Sequence, residues 1–300
     1  MRVDPFYVSN LVGALDQAQF TEQQLSGELS SGVRVTSIGQ DPVAAGQNAL
    51  LLDQIQNDDS FTRSSSLVQG RLQVADSALG GVVSQLTQAI TLATSANNGT
   101  LNPSQLQAIS NQLSGIRDEV SSLANSTYEG QYIFAGSLAG TAPFSTSNST
   151  VPAMTTYNGD GGVNYFETPN GQSIQLNLPG DQIFTAGGSN NVFQALNNLI
   201  ADFSNGTGSP SSAADLQALN TALGYVSQQR VTLDNSLTRL TAATNSAASE
   251  KTQLMTAQTT LMQADLGEIS TQLSLSKTQQ TALEAVIAQL GSGTLFDKLS

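Results

Sequence analysis

The chain has no cysteine, no histidine and no tryptophan in 300 residues, and its lysines are limited to Lys251, Lys277 and Lys298. Without thiolate or imidazole there is no disulfide, no thiolate or histidine metal site, no cysteine nucleophile and no Ser-His-Asp triad. A lack of cysteine suits an exported protein that needs no oxidative folding, although cytosolic chains commonly lack disulfides too. Aromatic residues make up 5% and charged residues 11% of the chain. That composition disfavours a thick globular core and favours slender bundles packed by Leu and Ala. No stretch approaches the ~20 apolar residues that span a bilayer, so no membrane insertion is expected. The opening residues Met1-Arg2-Val3-Asp4-Pro5-Phe6 lack the apolar core of a secretory signal, and any export would use a route without a cleaved leader. Ten basic residues, scattered singly, face 23 acidic ones for a net charge of −13. No phosphate-tracking surface and no nucleic-acid partner are expected. The acidity reads as solubility and reduced self-association.

What is present is helical periodicity at both ends. Val8, Leu11, Leu15, Ala18, Leu25 and Leu29 follow the alternating three-and-four spacing of a coiled-coil seam, interrupted by Glu22. Met255, Met262, Leu266, Ile269, Leu273, Leu283, Ile287 and Leu290 repeat it, with polar gaps at Thr259, Ser276 and Gln280. Such seams need helical partners. The first helix is predicted from about Pro5 to Ser31, followed by a polar connector, Val33 to Gln40. Asp41-Pro42 then reads as an N-cap carboxylate before a proline in the first turn. The second helix should continue to about Asn97 on the seam Val68, Leu72, Ala75, Leu79, Val82, Leu86, Ala89, Ala93 and Ala96. Gly80-Gly81 inside it either weakens the helix or lets another approach closely. Asn102-Pro103 with Gln105 forms a capping-box signature ahead of the seam Leu106, Ile109, Leu113, Ile116, Val120 and Leu123. The short turn between these matched seams argues for an antiparallel pair. A last helical pattern runs from about Ala214 to Leu290. Its seam starts at Leu216 and shifts phase at Met255, where a break is expected.

The middle of the chain changes period. Strands are predicted over 131–136, 155–158, 163–168 and 172–178, with a type I′ hairpin turn at Asn170-Gly171. Ile174, Leu176 and Leu178 alternate with Gln175 and Asn177, so one face of that strand should be buried. A further helix is expected over 191–203. Residues that could carry chemistry are thin. Asp58-Asp59 and Asp118-Glu119 sit on helices, while Asp160, Glu167 and Asp181 lie among turns, all without a converging partner, so solvated faces are the preferred reading. Gly159-Asp160-Gly161-Gly162 has the wrong spacing for a phosphate loop. Neither an enzymatic activity nor a cofactor or metal is expected.

Leu29-Ser30-Ser31-Gly32-Val33-Arg34-Val35 followed by Asp41-Pro42-Val43-Ala44-Ala45 resembles the N-terminal signature of the bacterial flagellin superfamily, carried by Leu29, Gly32, Arg34, Val35, Asp41 and Pro42. Three features are more similar to its hook-associated, junction-forming members than to filament flagellins. These are Asp41-Pro42 in place of an Asp-Ala-Ala-Gly continuation, Asn125-Ser126 before Gly130 to Gly136, and the ending Leu295-Phe296-Asp297-Lys298-Leu299. The chain departs from many members at Gln40, where they carry an acidic residue.

The resemblance implies a secreted, extracellular structural protein of the bacterial flagellum. It implies unfolded export through the type III channel, a cytoplasmic chaperone at the C-terminal region, and a ring-like self-assembly between a first hook-junction protein and the flagellin filament. Filament flagellin is the alternative, and a secreted coiled-coil effector or translocator a more distant one. The expected architecture is mainly α with a small β insert: an elongated antiparallel helical bundle or coiled-coil rod built from both chain ends. Residues 1–40 with 258–300 form terminal assembly helices, 41–136 with 190–257 a rod, and 137–189 a β-rich insert. The terminal helices would be disordered in the monomer, because a sparsely charged, polar-gapped helix buries little apolar area alone. The assembly interface is assigned to Val8, Leu11, Leu15, Leu25, Leu29, Leu266, Ile269, Leu273, Leu283, Ile287, Leu290, Leu295 and Phe296.

Overall fold

The computed structural model describes residues 5–206 and 208–292, with the side chains of residues 5, 8, 189 and 290–292 outside that description. Helices α1 (Pro5–Ser31), α2 (Pro42–Ala96) and α3 (Pro103–Ala124) precede six short strands: β1 (Thr127–Tyr128), β2 (Gln131–Tyr132), β3 (Phe144–Ser147), β4 (Met154–Tyr157), β5 (Tyr165–Glu167) and β6 (Ser173–Gln175). Helices α4 (Gly180–Phe184), α5 (Val192–Ser204), α6 (Ser212–Met262) and α7 (Leu266–Ser292) follow. The fold is therefore mainly α with a small β insert. The chain divides into a terminal unit, Met1–Gln56 with Glu250–Ser300, and a middle unit, Asn57–Ser249.

In the middle unit the seams become the core. Leu72, Leu79, Val82, Leu86, Ala89 and Ala93 of α2 are buried with Leu106, Leu113 and Val120 of α3 and Leu219, Val226 and Leu240 of α6. Gly80-Gly81 does not interrupt α2. A Cβ on Gly81 would lie 3.0 Å from Leu123 Cδ1, so the glycine serves close helix approach. The α3 start carries both bonds of the capping box: Gln105 N–H donates to Asn102 Oδ1 (2.9 Å), and Asn102 N–H to Gln105 Oε1 (2.9 Å). Across helices, Arg230 donates to both carboxylate oxygens of Asp76, at 2.6 and 3.0 Å.

The insert departs from the strand reading. It holds two separate two-stranded antiparallel pairs, β3–β4 and β5–β6, and a third, β1–β2, precedes it. β2 ends at Tyr132, and the buried Ile133, Phe134 and Ala135 follow without strand pairing. The I′ turn is not at Asn170-Gly171: Gly171 has φ +73° while Asn170 stays in the ordinary negative region. Gly171 N–H donates to Thr168 O at 2.9 Å, a turn closed by a single left-handed glycine. Paired positive φ occurs instead at Glu129 (49°) and Gly130 (77°), between β1 and β2. The scarce aromatics are concentrated here. Phe144 lies 5.3 Å from Phe184, 5.1 Å from Phe193 and 5.1 Å from Tyr157, ring centre to ring centre. Asn125 anchors this cluster to the end of α3. Its amide donates to Phe144 O (2.9 Å) and its carbonyl accepts from Phe144 N–H (2.9 Å), imitating one rung of a sheet.

The break expected at Met255 is also displaced. α6 runs unbroken through that position to Met262, and the interruption falls at residues 263–265. Asp265 ends it by accepting N–H bonds from Gly267 (2.9 Å) and Glu268 (3.1 Å), an N-cap followed by Glu three residues on.

Candidate assembly surface

The terminal unit is organised around the connector between α1 and α2. Gly32, at φ +69°, closes α1 by donating to Glu28 O at 2.8 Å, a left-handed cap that few other residues adopt. The chain then meets the α6–α7 interruption. Arg34 N–H donates to Met262 O (2.8 Å), Ala264 N–H donates to Gly32 O (3.0 Å), and Val33 bridges Gln263. These bonds satisfy helix-end groups that would otherwise be orphaned. Gln40 folds the connector on itself. Its side-chain oxygen accepts from Thr36 N–H (2.7 Å), Ser37 N–H (3.2 Å) and Thr36 Oγ1 (2.9 Å), and its amide faces Glu28 Oε1 at 3.5 Å.

Asp41 then caps α2. Its Oδ1 accepts from Ala44 N–H (3.0 Å) and its Oδ2 pairs with Arg34 (3.1 Å). The Ala44 N–H first, and Arg34 second, hold this carboxyl below its ordinary range. Arg34 also reaches Leu261 O at 3.4 Å, while Val35 is buried. The structure thus brings Gly32, Arg34, Val35, Asp41 and Pro42 together as a corner that ends one helix and starts the next. Leu29 sits on the last turn of α1, 37% exposed.

α1 packs along α7. Leu25 and Ile269 are buried with Ala264, and Leu273 packs against them. Leu11, Leu15, Leu283 and Ile287 are half-buried, whereas Leu266 is exposed. Val8 and Leu290 lie outside the described side chains, and Leu295 and Phe296 outside the described residues. The polar interruptions Ser276 and Glu22 each find a partner on the opposite helix. Ser276 Oγ donates to Ala18 O at 3.2 Å, and Lys277 approaches Glu22 at 3.9 Å. Between the helices runs a groove of about 640 Å³ lined by Ala14, Ala18, Leu25, Leu275, Leu283 and Val286 among others.

Among its described residues this unit exposes more large apolar side chains than it buries. Tyr7, Val12, Phe20, Ile38, Val43, Leu50, Leu275 and Val286 are all open, with Phe20 at 63% and Ile38 at 75% exposure. Among the described residues its buried apolar side chains are limited to Ala18, Leu25, Val35, Ala44, Ala264 and Ile269. Large apolar side chains left open beside so small a core make this unit the candidate interaction surface. Among the described residues no three His, Cys, Asp or Glu converge on a possible metal site, and no helix is long and apolar enough to cross a membrane.

Residues 8–139 match the bacterial flagellin N-terminal helical region. The flagellar hook-associated protein 3 of Salmonella typhimurium is 34% identical over 140 residues, covering 46% of this chain and 44% of that protein. The protein of the same name from Escherichia coli is 33% identical over 141 residues, again 46% and 44%. The aligned stretch thus spans about half the length of these relatives. Among solved structures, a flagellar hook-associated protein of Vibrio parahaemolyticus shares the fold at a TM-score of 0.66 and 19% identity, over 74% of this chain and 99% of that one. Hook-associated protein 3 of Legionella pneumophila does so at 0.62 and 14%, over 71% and 98%.

Proposed function

Residues 8–139 match the bacterial flagellin N-terminal helical region, and from that likeness we propose that this chain is a flagellin-family protein, a structural, non-catalytic part of the flagellum that joins hook to filament. The observation that carries the proposal is the terminal unit: a thin internal core under an excess of exposed apolar side chains. Such a unit gains most of its stability when neighbouring copies cover it. The names of the curated relatives favour the hook-associated role over that of a filament subunit.

In this reading the protein is exported unfolded through the flagellar type III channel, with a cytoplasmic chaperone holding its C-terminal region. It assembles outside the cell as a ring between the first hook-junction protein and the flagellin filament. α1 and α7 become fully ordered when neighbours complete their surfaces, and the exposed seam positions Leu29 and Leu266 make contacts between copies. Residues 41–136 with 190–257 serve as the rod, and 137–189 as an outward insert.

Deletion of the gene tests the role. Intact hooks without filaments, with unpolymerised flagellin in the medium, are expected; normal filaments would overturn it. Circular dichroism and limited proteolysis of the free chain test the ordering step, since protease-resistant, fully helical termini contradict it.

A further inference from the structure

Four Asn-Gly pairs occur in the chain: Asn98-Gly99, Asn158-Gly159, Asn170-Gly171 and Asn205-Gly206. In an unfolded peptide each is open to the same reaction. The glycine backbone nitrogen loses its proton and attacks the asparagine side-chain carbonyl carbon. A nitrogen–carbon bond forms, the amide carbon–nitrogen bond breaks, and ammonia leaves a cyclic succinimide. Water then opens the ring to aspartate or isoaspartate, replacing a neutral amide by a carboxylate.

The fold treats the four pairs differently. Gly171 N–H is bonded to Thr168 O at 2.9 Å. Gly206 N–H is bonded to Phe203 O at 3.1 Å, and Gly206 is buried with its Cβ position 2.8 Å from Pro103. At the third pair, Asn158 donates its side-chain amide to Ser145 Oγ at 3.0 Å, and the Cβ position of Gly159 meets the Tyr157 hydroxyl and Ala135 O. These three must open locally before the nitrogen can reach the carbonyl. Asn98-Gly99 is unlike them. Both residues are exposed in the turn between α2 and α3, and nothing lies within 4 Å of the Gly99 Cβ position. Among the described residues neither the Asn98 side chain nor the Gly99 N–H has a hydrogen-bond partner.

We propose that Asn98 is a site of spontaneous covalent modification in the folded protein, converting to aspartate and isoaspartate through a succinimide with Gly99. The new carboxylate lies just past the C-terminal end of α2, where the helix dipole disfavours negative charge. Its neighbour Asn97 accepts a bond from Ser212 Oγ at 2.6 Å, so the change falls beside the tie between the end of α2 and the start of α6.

The test is peptide mapping by mass spectrometry after timed incubation of the full chain, folded in buffer and unfolded in urea. In the folded chain the amide-to-acid mass gain is expected at least roughly tenfold faster at residue 98 than at 158, 170 or 205, because the protected sites react only through local opening. The rate at 98 should rise with pH, because the attacking nitrogen must be deprotonated. In urea the four rates should converge. Equal rates in the folded chain, or faster reaction at any other pair, overturn the proposal. So does a rate at residue 98 that is markedly slower folded than unfolded, since it would reveal protection.

Discussion

Single side chains decide local outcomes that composition leaves open. Gln40 both accepts from the connector backbone and donates toward Glu28, which is buried. Gln40→Glu would keep the acceptor, lose the donor and set its carboxylate against that of Glu28 at hydrogen-bond range. Faster amide exchange at Thr36 and Ser37 is the expected outcome, with Gln40→Met as the uncharged control. At Asp41 the carboxyl is held below its unfolded value of 3.8, so its cap is fully present above that value and is lost as pH falls through the lower folded value. Asp41→Ala should expose the start of α2 to exchange at all pH values, while Asp41→Asn keeps a good cap and loses only the Arg34 pair. Tyr157 has the opposite sign. Burial first, and the Asp181 charge second, push its hydroxyl up to about 12 from 10.0. The hydroxyl lies 3.0 Å from Phe134 O and 2.9 Å from Asp160 O, and ionisation removes its proton from both. Its contribution is present below pH 10 and lost as pH rises toward 12; alkaline unfolding should lose that component in Tyr157→Phe.

At the level of elements, helix ends are specified by short-range chemistry and can be tested one at a time. Asn102→Ala removes the side-chain bond of the capping box and leaves the one from the residue 102 backbone N–H to Gln105, an expected loss of about 0.5–2 kcal/mol in urea unfolding of the middle unit. Most helix starts and stops were legible in the chain: Gly32, Asp41-Pro42 and Asn102-Pro103 behave as read. The break at 263–265 was misplaced because the seam's phase shift at Met255 was taken as the stronger signal. The Asp265-Leu266-Gly267-Glu268 capping pattern was present in the same stretch. In the insert, strands of two to four residues are too short for alternation to define their ends. Packing supplies what alternation cannot: Phe144 of β3 sits among Phe184 and Phe193, and Phe166 of β5 stacks on Phe61.

Across the whole molecule, apolar residues fall into two populations with different consequences. Leu79 is fully buried in the middle unit, so Leu79→Ala should cost about 2–5 kcal/mol and lower the melting temperature. Leu275 is 60% exposed on α7, and Leu275→Ala should change the stability of the free chain by no more than about 0.5 kcal/mol. If the proposed role holds, Leu275→Ala nonetheless reduces filament attachment in cells. An equal loss of stability in both variants would contradict this division.

Heptad spacing, cap residues and a charge-poor composition were enough to specify the long helices, the buried faces of α2, α3, α5 and α6 in the middle unit and the flagellin-type resemblance, because these depend on residues within a few turns of one another, though not the short α4 or the α6–α7 break. Which glycine admits a neighbouring helix, where the positive-φ turns fall, and which Asn-Gly pair stays open depend on atoms distant in the chain. So does the meeting of Gly32 and Arg34 with Met262 and Ala264, since a hydrogen bond across more than 200 residues leaves no local trace until both ends are packed together. The exposed face of α1 and α7 belongs to the same class. Spacing marks those residues as apolar, but only the folded terminal unit distinguishes the side chains already covered from those left open.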